Sequence, residues 1–177
     1  PYTDSDPELD VKSTVRSIVD EVKRRFGNVA LPAIMLEPGR SIVADAGLTV
    51  YTCTSVKNAG KTSYVAVDGG MPDNPRFALY EASYKVRNVT RAAEEGTRLY
   101  TIAGRCCESG DLIQKNVSLP ETKRGDFIAV ETTGAYNYSM ASNYNRLPRP
   151  AVIMLDKNEE HIVVRRETFG DILDNDL

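Results

Sequence analysis

Near the start of the chain, apolar residues recur at helical spacing. Val11, Val15, Ile18, Val19, Val22 and Phe26 fall on one face, which predicts an amphipathic helix. Asp6 is the expected N-cap, with Pro7 at the first helical position. Lys23, Arg24 and Arg25 occupy the last turn, where cations suit the helix dipole, and Gly27 is placed to end it. One short link later, Ala33-Ile34-Met35-Leu36 is apolar on both faces, as a buried parallel strand is. A helix feeding such a strand is the unit of a β/α barrel, where functional groups gather at the C-terminal strand ends. Glu37 stands at that end here.

After Arg40 the texture changes. Residues 42–56, 63–68, 79–89, 98–103, 127–132, 151–155 and 162–166 are β-branched or aromatic runs split by Gly, Pro and Asn turns. That spacing predicts an antiparallel barrel or sandwich. Residues 168–173 read as a short closing helix. The expected organisation is therefore mainly β. Residues 1–40 are the C-terminal remnant of a β/α, TIM-like barrel, residues 41–167 a β-barrel domain, and residues 168–177 a helical segment. The opening Pro1-Tyr2-Thr3-Asp4-Ser5 has no starting methionine and reads as a loop cut in mid-course.

Composition narrows the classes. A chain of 177 residues that is 41% hydrophobic can bury a core of about one domain. A net charge of -3 with no Lys/Arg run argues against a nucleic-acid or membrane surface as partner. No apolar stretch reaches the length of a transmembrane helix. Three cysteines, two of them adjacent, suit a reducing compartment, so cytoplasm is the expected location. Cys53, Cys106, Cys107 and His161 have no metal-ligand spacing, and no metal is expected.

Three polar clusters follow apolar runs: Glu37-Pro38-Gly39-Arg40, Gly104-Arg105-Cys106-Cys107-Glu108-Ser109-Gly110-Asp111, and Gly134-Ala135-Tyr136 with Ala141-Ser142-Asn143-Tyr144-Asn145. Each has a plain reading. Pro-Gly is a common turn pair, and a lone cysteine is more often a small core residue than a reactive one. Set at the ends of apolar runs, however, the three read as loops converging on one site. A carboxylate and a guanidinium flanking a tight turn can address a heterocycle nitrogen and an anion together. Cys107 lies in a loop too polar for a core. Arg76, four residues before Tyr80, can clamp a carboxylate through its planar fork. His161, beside two glutamates, reads as a surface residue.

Together, Glu37-Pro38-Gly39-Arg40-Ser41-Ile42-Val43-Ala44, Cys107-Glu108-Ser109-Gly110-Asp111, and Gly134-Ala135-Tyr136 through Asn145 closely resemble the meso-diaminopimelate decarboxylase family. These are pyridoxal-phosphate enzymes of the alanine-racemase-like, fold-type III group. The likeness runs over nearly the whole chain, to Arg165-Arg166-Glu167-Thr168-Phe169. Ornithine decarboxylases share the first and last elements but have a Cys-Asp loop where this chain has Cys107-Glu108-Ser109.

The resemblance implies roles residue by residue. Glu37 matches the acid facing the pyridine nitrogen of pyridoxal 5'-phosphate, where it keeps that nitrogen protonated and the ring a better electron sink. Gly39 and Arg40 match residues beside the cofactor phosphate, Arg40 also reaching the substrate. Arg76 and Tyr80 match groups holding the distal amino-acid end of the substrate. Cys107 and Glu108 match a loop that crosses a homodimer interface into the partner's site, the thiol managing a proton and the carboxylate pairing with the distal ammonium. Tyr136 matches a tyrosine contacting cofactor and substrate. The chemistry suits those types independently. Diaminopimelate has two amino-acid ends, and the one that keeps its carboxylate needs complementary charge.

The family's cofactor lysine, its ring-stacking histidine and its phosphate-binding glycine loop have no match here. The resemblance therefore implies the C-terminal part of a decarboxylase that yields L-lysine and CO2, inactive by itself without the Schiff-base lysine. Two other readings stand beside it: a related decarboxylase acting on ornithine, arginine or carboxynorspermidine, and a non-catalytic β-domain homologue that binds a partner.

Overall fold

In the computed structural model, residues 3–27 and 29–177 are described. Pro1 and Tyr2 of the expected opening loop lie outside them. Helix α1 spans Val11–Phe26 and begins later than its sequence suggested. Asp6 is committed to a turn, accepting from the Thr3 N–H at 2.9 Å. Asp10 caps the helix instead, accepting from the Ser13 N–H at 3.0 Å. Gly27 ends it at φ 57°, its N–H bonded to the Lys23 carbonyl, a conformation that costs glycine little.

Residues 33–36 form no strand, which corrects the sequence expectation. Ile34, Met35 and Leu36 are 41%, 90% and 50% exposed. An apolar run of this kind becomes a parallel strand only between neighbours that accept its backbone bonds, and no strand pairs with it among the described residues. The chain then enters a single-turn helix, α2 (Arg40–Val43). Residues 42–47 are thus helix and turn, and strand β1 begins only at Leu48.

A six-stranded sheet carries the core. Its strands are β1 (Leu48–Ala59), β2 (Thr62–Val67), β3 (Val86–Asn88), β4 (Arg98–Ala103), β5 (Leu112–Leu119) and β6 (Phe127–Glu131). The order is β3-β6-β1-β2-β4-β5. The long β1 serves both halves. Its first part pairs with β6 and its second with β2, with a register shift between Cys53 and Ser55. A bulge there bends the strand and lets the sheet curl. The edges approach each other, since the Tyr84 N–H just before β3 donates to the Gln114 side chain of β5 at 3.0 Å. The result is a nearly closed barrel. All pairings are antiparallel except β2 with β4, which is parallel, a departure from the purely antiparallel expectation.

Alternation fills the interior. Val65 and Val67 of β2, Tyr100 and Ile102 of β4, Ile113 and Leu119 of β5, and Ile128 and Val130 of β6 are each at most 1% exposed. They form one cluster with Tyr51, Cys53, Tyr84 and Val86. Residues 79–89 are not a continuous strand. Arg76–Tyr80 forms a short helix, α3, ended by Glu81 at φ 52°, and only Val86–Asn88 pairs as strand. Outside the barrel lies a hairpin, β7 (Val152–Asp156) and β8 (Glu159–Val164). Lys157 and Asn158 at its tip both have positive φ, as a two-residue type I′ turn requires. Helix α4 (Phe169–Leu173) closes the chain with a capping box between Thr168 and Asp171.

Candidate functional site

Two of the three polar clusters are stitched together at one end of the barrel. The Gly134 N–H donates to the Ala44 carbonyl, and the Thr133 N–H to the Gly47 carbonyl, both at 2.9 Å. The approach is close enough that a Cβ on Gly134 would lie 2.0 Å from the Val43 carbonyl oxygen. Only glycine fits there. This contact sets Gly134-Ala135-Tyr136 against the segment that holds Gly39 and Arg40.

Tyr136 is then turned sharply, at φ 62°, a left-handed conformation that a bulky residue adopts only when its surroundings impose it. Its hydroxyl lies over Gly39, where a Cβ would come within 2.6 Å of it. On its other side the Arg76 guanidinium stacks over the Tyr136 ring, 5.4 Å from the centroid. The same guanidinium lies 5.2 Å from the Tyr80 ring centroid, one turn along α3. Gly39, Tyr136, Arg76 and Tyr80 thus form one continuous group. The rings limit the cation's freedom through cation–π attraction. Arg40 opens α2 directly after Gly39. Glu37, two residues before Gly39, lines a groove of about 340 Å³ with Val11, Val15 and Ile18 of α1.

The third cluster is fastened to the segment leading into Arg76. Asp111 is 3% exposed. Its carboxylate accepts from the backbone N–H groups of Met71 and Cys106, both at 2.7 Å. The Arg105 N–H adds a bond to the Gly69 carbonyl at 3.0 Å. Next along the loop, the Cys107 N–H donates to the Asn145 side-chain oxygen at 2.8 Å, and the Ser142 N–H to the Pro72 carbonyl at 2.7 Å. Residues 69–74, 104–111 and 142–145 are therefore laced into one unit. Cys107 and Glu108 stand exposed on it, with Glu108 accepting from the Gly110 N–H at 3.1 Å.

The two thiols differ. Cys106 is half-buried, and its pKa is pushed up to about 12 by burial first, then by the Asp111 charge and by donation to that carboxylate. Cys107 is exposed. Two further groups were not singled out in the sequence. Tyr51 donates to Asp73 at 2.5 Å, and burial raises the pKa of both partners. Glu167 joins Asn143 and Arg149: the Asn143 amide donates to it at 2.7 Å, and its Arg149 pair holds its pKa down to about 2. The Gly69-Gly70 pair before Met71-Pro72-Asp73 was the available signal for the first, since adjacent glycines mark a close backbone approach. His161, on the outer hairpin near Glu159, has no part in the site.

The chain matches the family model of the C-terminal sheet domain of pyridoxal-dependent decarboxylases over residues 11–134. It is 50% identical, over 99% of its length, to the diaminopimelate decarboxylase of Bacillus subtilis, and spans 41% of that relative. Among solved structures it is similar to diaminopimelate decarboxylase from M. jannaschii in complex with L-lysine, with a TM-score of 0.90 and 32% identity, covering all of this chain and 40% of that one. It is likewise similar to the Helicobacter pylori diaminopimelate decarboxylase complexed with L-lysine, with a TM-score of 0.84 and 32% identity, covering 97% of this chain and 41% of that one. The chain thus spans well under half the length of these relatives.

Proposed function

The chain belongs to the pyridoxal-dependent decarboxylases, as their C-terminal sheet domain, and we propose that it serves a protein that converts meso-2,6-diaminopimelate to L-lysine and CO2. The observation carrying this reading is the continuous group formed by Gly39, Tyr136, Arg76 and Tyr80. It joins residues that the cofactor needs to a cation suited to a carboxylate.

The residues fit pyridoxal 5'-phosphate. Glu37 supplies a carboxylate for a protonated ring nitrogen. Gly39, with no room for a Cβ beneath the Tyr136 hydroxyl, lets that tyrosine close on the turn beside the cofactor. Arg40 adds a cation for a phosphate. When bound, that cofactor takes up the electron pair left by the departing CO2. The Schiff-base lysine lies in the rest of the whole protein under this reading.

This chain's own residues do the selecting. Arg76, steadied by two rings, pairs with the carboxylate that stays on the product. Tyr80 and Tyr136 pack beside it, with Arg40 near the substrate. Glu108 pairs with the distal ammonium, and Cys107 delivers a proton to the carbon that has lost CO2. The exposed position of the Cys107-Glu108 loop suits a reach into a second subunit, so the working protein is a homodimer with shared sites. A small amino acid is the substrate; neither nucleic acid nor membrane is a partner, and the location is cytoplasmic.

The division of the chain follows. Residues 1–40 complete a β/α barrel, 41–167 form the β domain and 168–177 a closing helical segment. The exposed apolar face of residues 34–36 and the lack of any fully buried residue in α1 support the first part. The test is a substrate panel on the full-length protein with pyridoxal phosphate. Release of CO2 and L-lysine from meso-diaminopimelate, with ornithine and arginine at least about tenfold poorer in kcat/KM, is the expected result. Preference for ornithine or arginine, or no turnover of any, overturns it.

A further inference from the structure

Asp111 is the most deeply buried carboxylate of the three polar clusters, at 3% exposed, and the hydrogen bonds to its carboxylate come from backbone N–H groups. One oxygen accepts from the Met71 N–H and the other from the Cys106 N–H, both at 2.7 Å. Charge-assisted bonds of this length are the strong kind, and a buried carboxylate without them is costly. The two segments close on it from either side. A Cβ on Gly70 would lie 2.5 Å from its carboxylate and one on Gly104 2.2 Å away, so two glycines make the approach possible. Its own backbone closes the loop's neck, its carbonyl accepting from the Gly104 N–H at 2.8 Å.

We propose that Asp111 is a positioning residue whose carboxylate fixes the Cys107-Glu108 loop against the backbone that leads into Arg76. Under the reading above, residues 104–111 lend their loop to the partner's site, while residues 69–76 lead into the Arg76 of this chain's own site. A single carboxylate therefore ties the lent loop to the segment that anchors it. It also sorts the adjacent thiols. Cys106 is half-buried beside the Asp111 carboxylate, which its backbone N–H meets, and its charged form is disfavoured there, while Cys107, one residue on, is exposed with its N–H held by Asn145. The inference rests on the reading above for what the loop does, but not for how it is held.

Asp111→Asn keeps the volume and replaces one acceptor by an amide NH2 that faces a backbone N–H. In the full-length protein, kcat/KM for meso-diaminopimelate should fall by about 10–100-fold, the scale of a displaced catalytic group, with thermal stability of the dimer kept within a few degrees. The effect should be non-additive with the Cys107→Ala/Glu108→Ala pair: adding Asp111→Asn should make that protein no slower, because a loop without its thiol and carboxylate has little left to misplace. A general loss of structure would lower the triple variant further and overturn the role.

A second readout does not use activity. Timed alkylation followed by peptide mapping should label Cys107 and spare Cys106 in the wild-type protein, and should label both in Asp111→Asn. Equal labelling in the wild type overturns the proposal, and that measurement requires no variant to fold. If the labelling pattern holds while diaminopimelate is not turned over, the substrate reading fails and the role of Asp111 stands.

Discussion

The Tyr136 hydroxyl sits over Gly39 so closely that a Cβ on residue 39 would come within 2.6 Å of it. Two loops far apart in sequence therefore depend on one missing methyl group. The contact links the turn proposed to hold the cofactor to the tyrosine that stacks on Arg76.

Gly39→Ala should leave the barrel folded, because residue 39 is exposed, yet push Tyr136 off its position. Cofactor affinity in the full-length protein should weaken by about tenfold or more, in line with small-to-large changes at a closed contact costing about 1–3 kcal/mol. Titration of pyridoxal phosphate by absorbance, with the melting temperature as control, checks this. Unchanged affinity would separate Tyr136 from the cofactor.

Arg76→Ala should impair substrate binding far more than cofactor retention. Losing one side of a desolvated guanidinium–carboxylate pair typically costs about 2–5 kcal/mol. KM for diaminopimelate should rise steeply while the absorbance of bound cofactor persists. Loss of both together would assign Arg76 to the cofactor.

If Cys107 acts across the dimer, a Cys107→Ala protein and a protein lacking the Schiff-base lysine should complement each other after subunit exchange. Random exchange makes half the dimers mixed, each with one intact site, so recovery should approach roughly a quarter of wild-type sites. Demonstrated exchange without recovery would confine the loop to its own subunit.

Glu167 tethers Asn143, and with it the segment reaching Cys107. Its pKa is lowered from 4.5 to about 2, first by the Arg149 side-chain bond, then by the Arg149 backbone N–H, with Asn143 adding to the effect. A depressed carboxylate contributes stability that is fully present above its unfolded pKa and lost as pH falls through the folded one. The stability difference between wild type and Glu167→Gln, measured by urea midpoints, should be constant above about pH 5 and shrink between pH 4.5 and 2. A difference that persists unchanged across that window would contradict the assignment.

What the sequence disclosed follows from how local each signal is. The α1 stripe and the alternation of Arg98–Ala103 are short-range, and both elements formed. Strand β5 went unread because Gln114-Lys115-Asn116 interrupts its pattern, with Asn116 at positive φ, although Ile113 and Leu119 bury fully. Residues 33–36 form no strand for the opposite reason: apolarity reports that a segment will be covered, and no strand among the described residues covers it. Within the site, the motif residues were visible as types in sequence. The lacing was not, since Met71 meets Asp111 across 40 positions and Cys107 meets Asn145 across 38. Such pairings depend on the closed barrel, which brings the two loops to one end.

On the proposed reading, Arg76, held between Tyr80 and Tyr136, grips the carboxylate that the product keeps. The measurement that decides it is competition in the full-length protein between L-lysine and 1,5-diaminopentane, the same diamine without that carboxylate. L-lysine should inhibit about 30-fold or more better than the diamine, the worth of about 2 kcal/mol from one desolvated charge pair, and Arg76→Ala should erase the difference. Equal inhibition by the two compounds in the wild-type enzyme would contradict it.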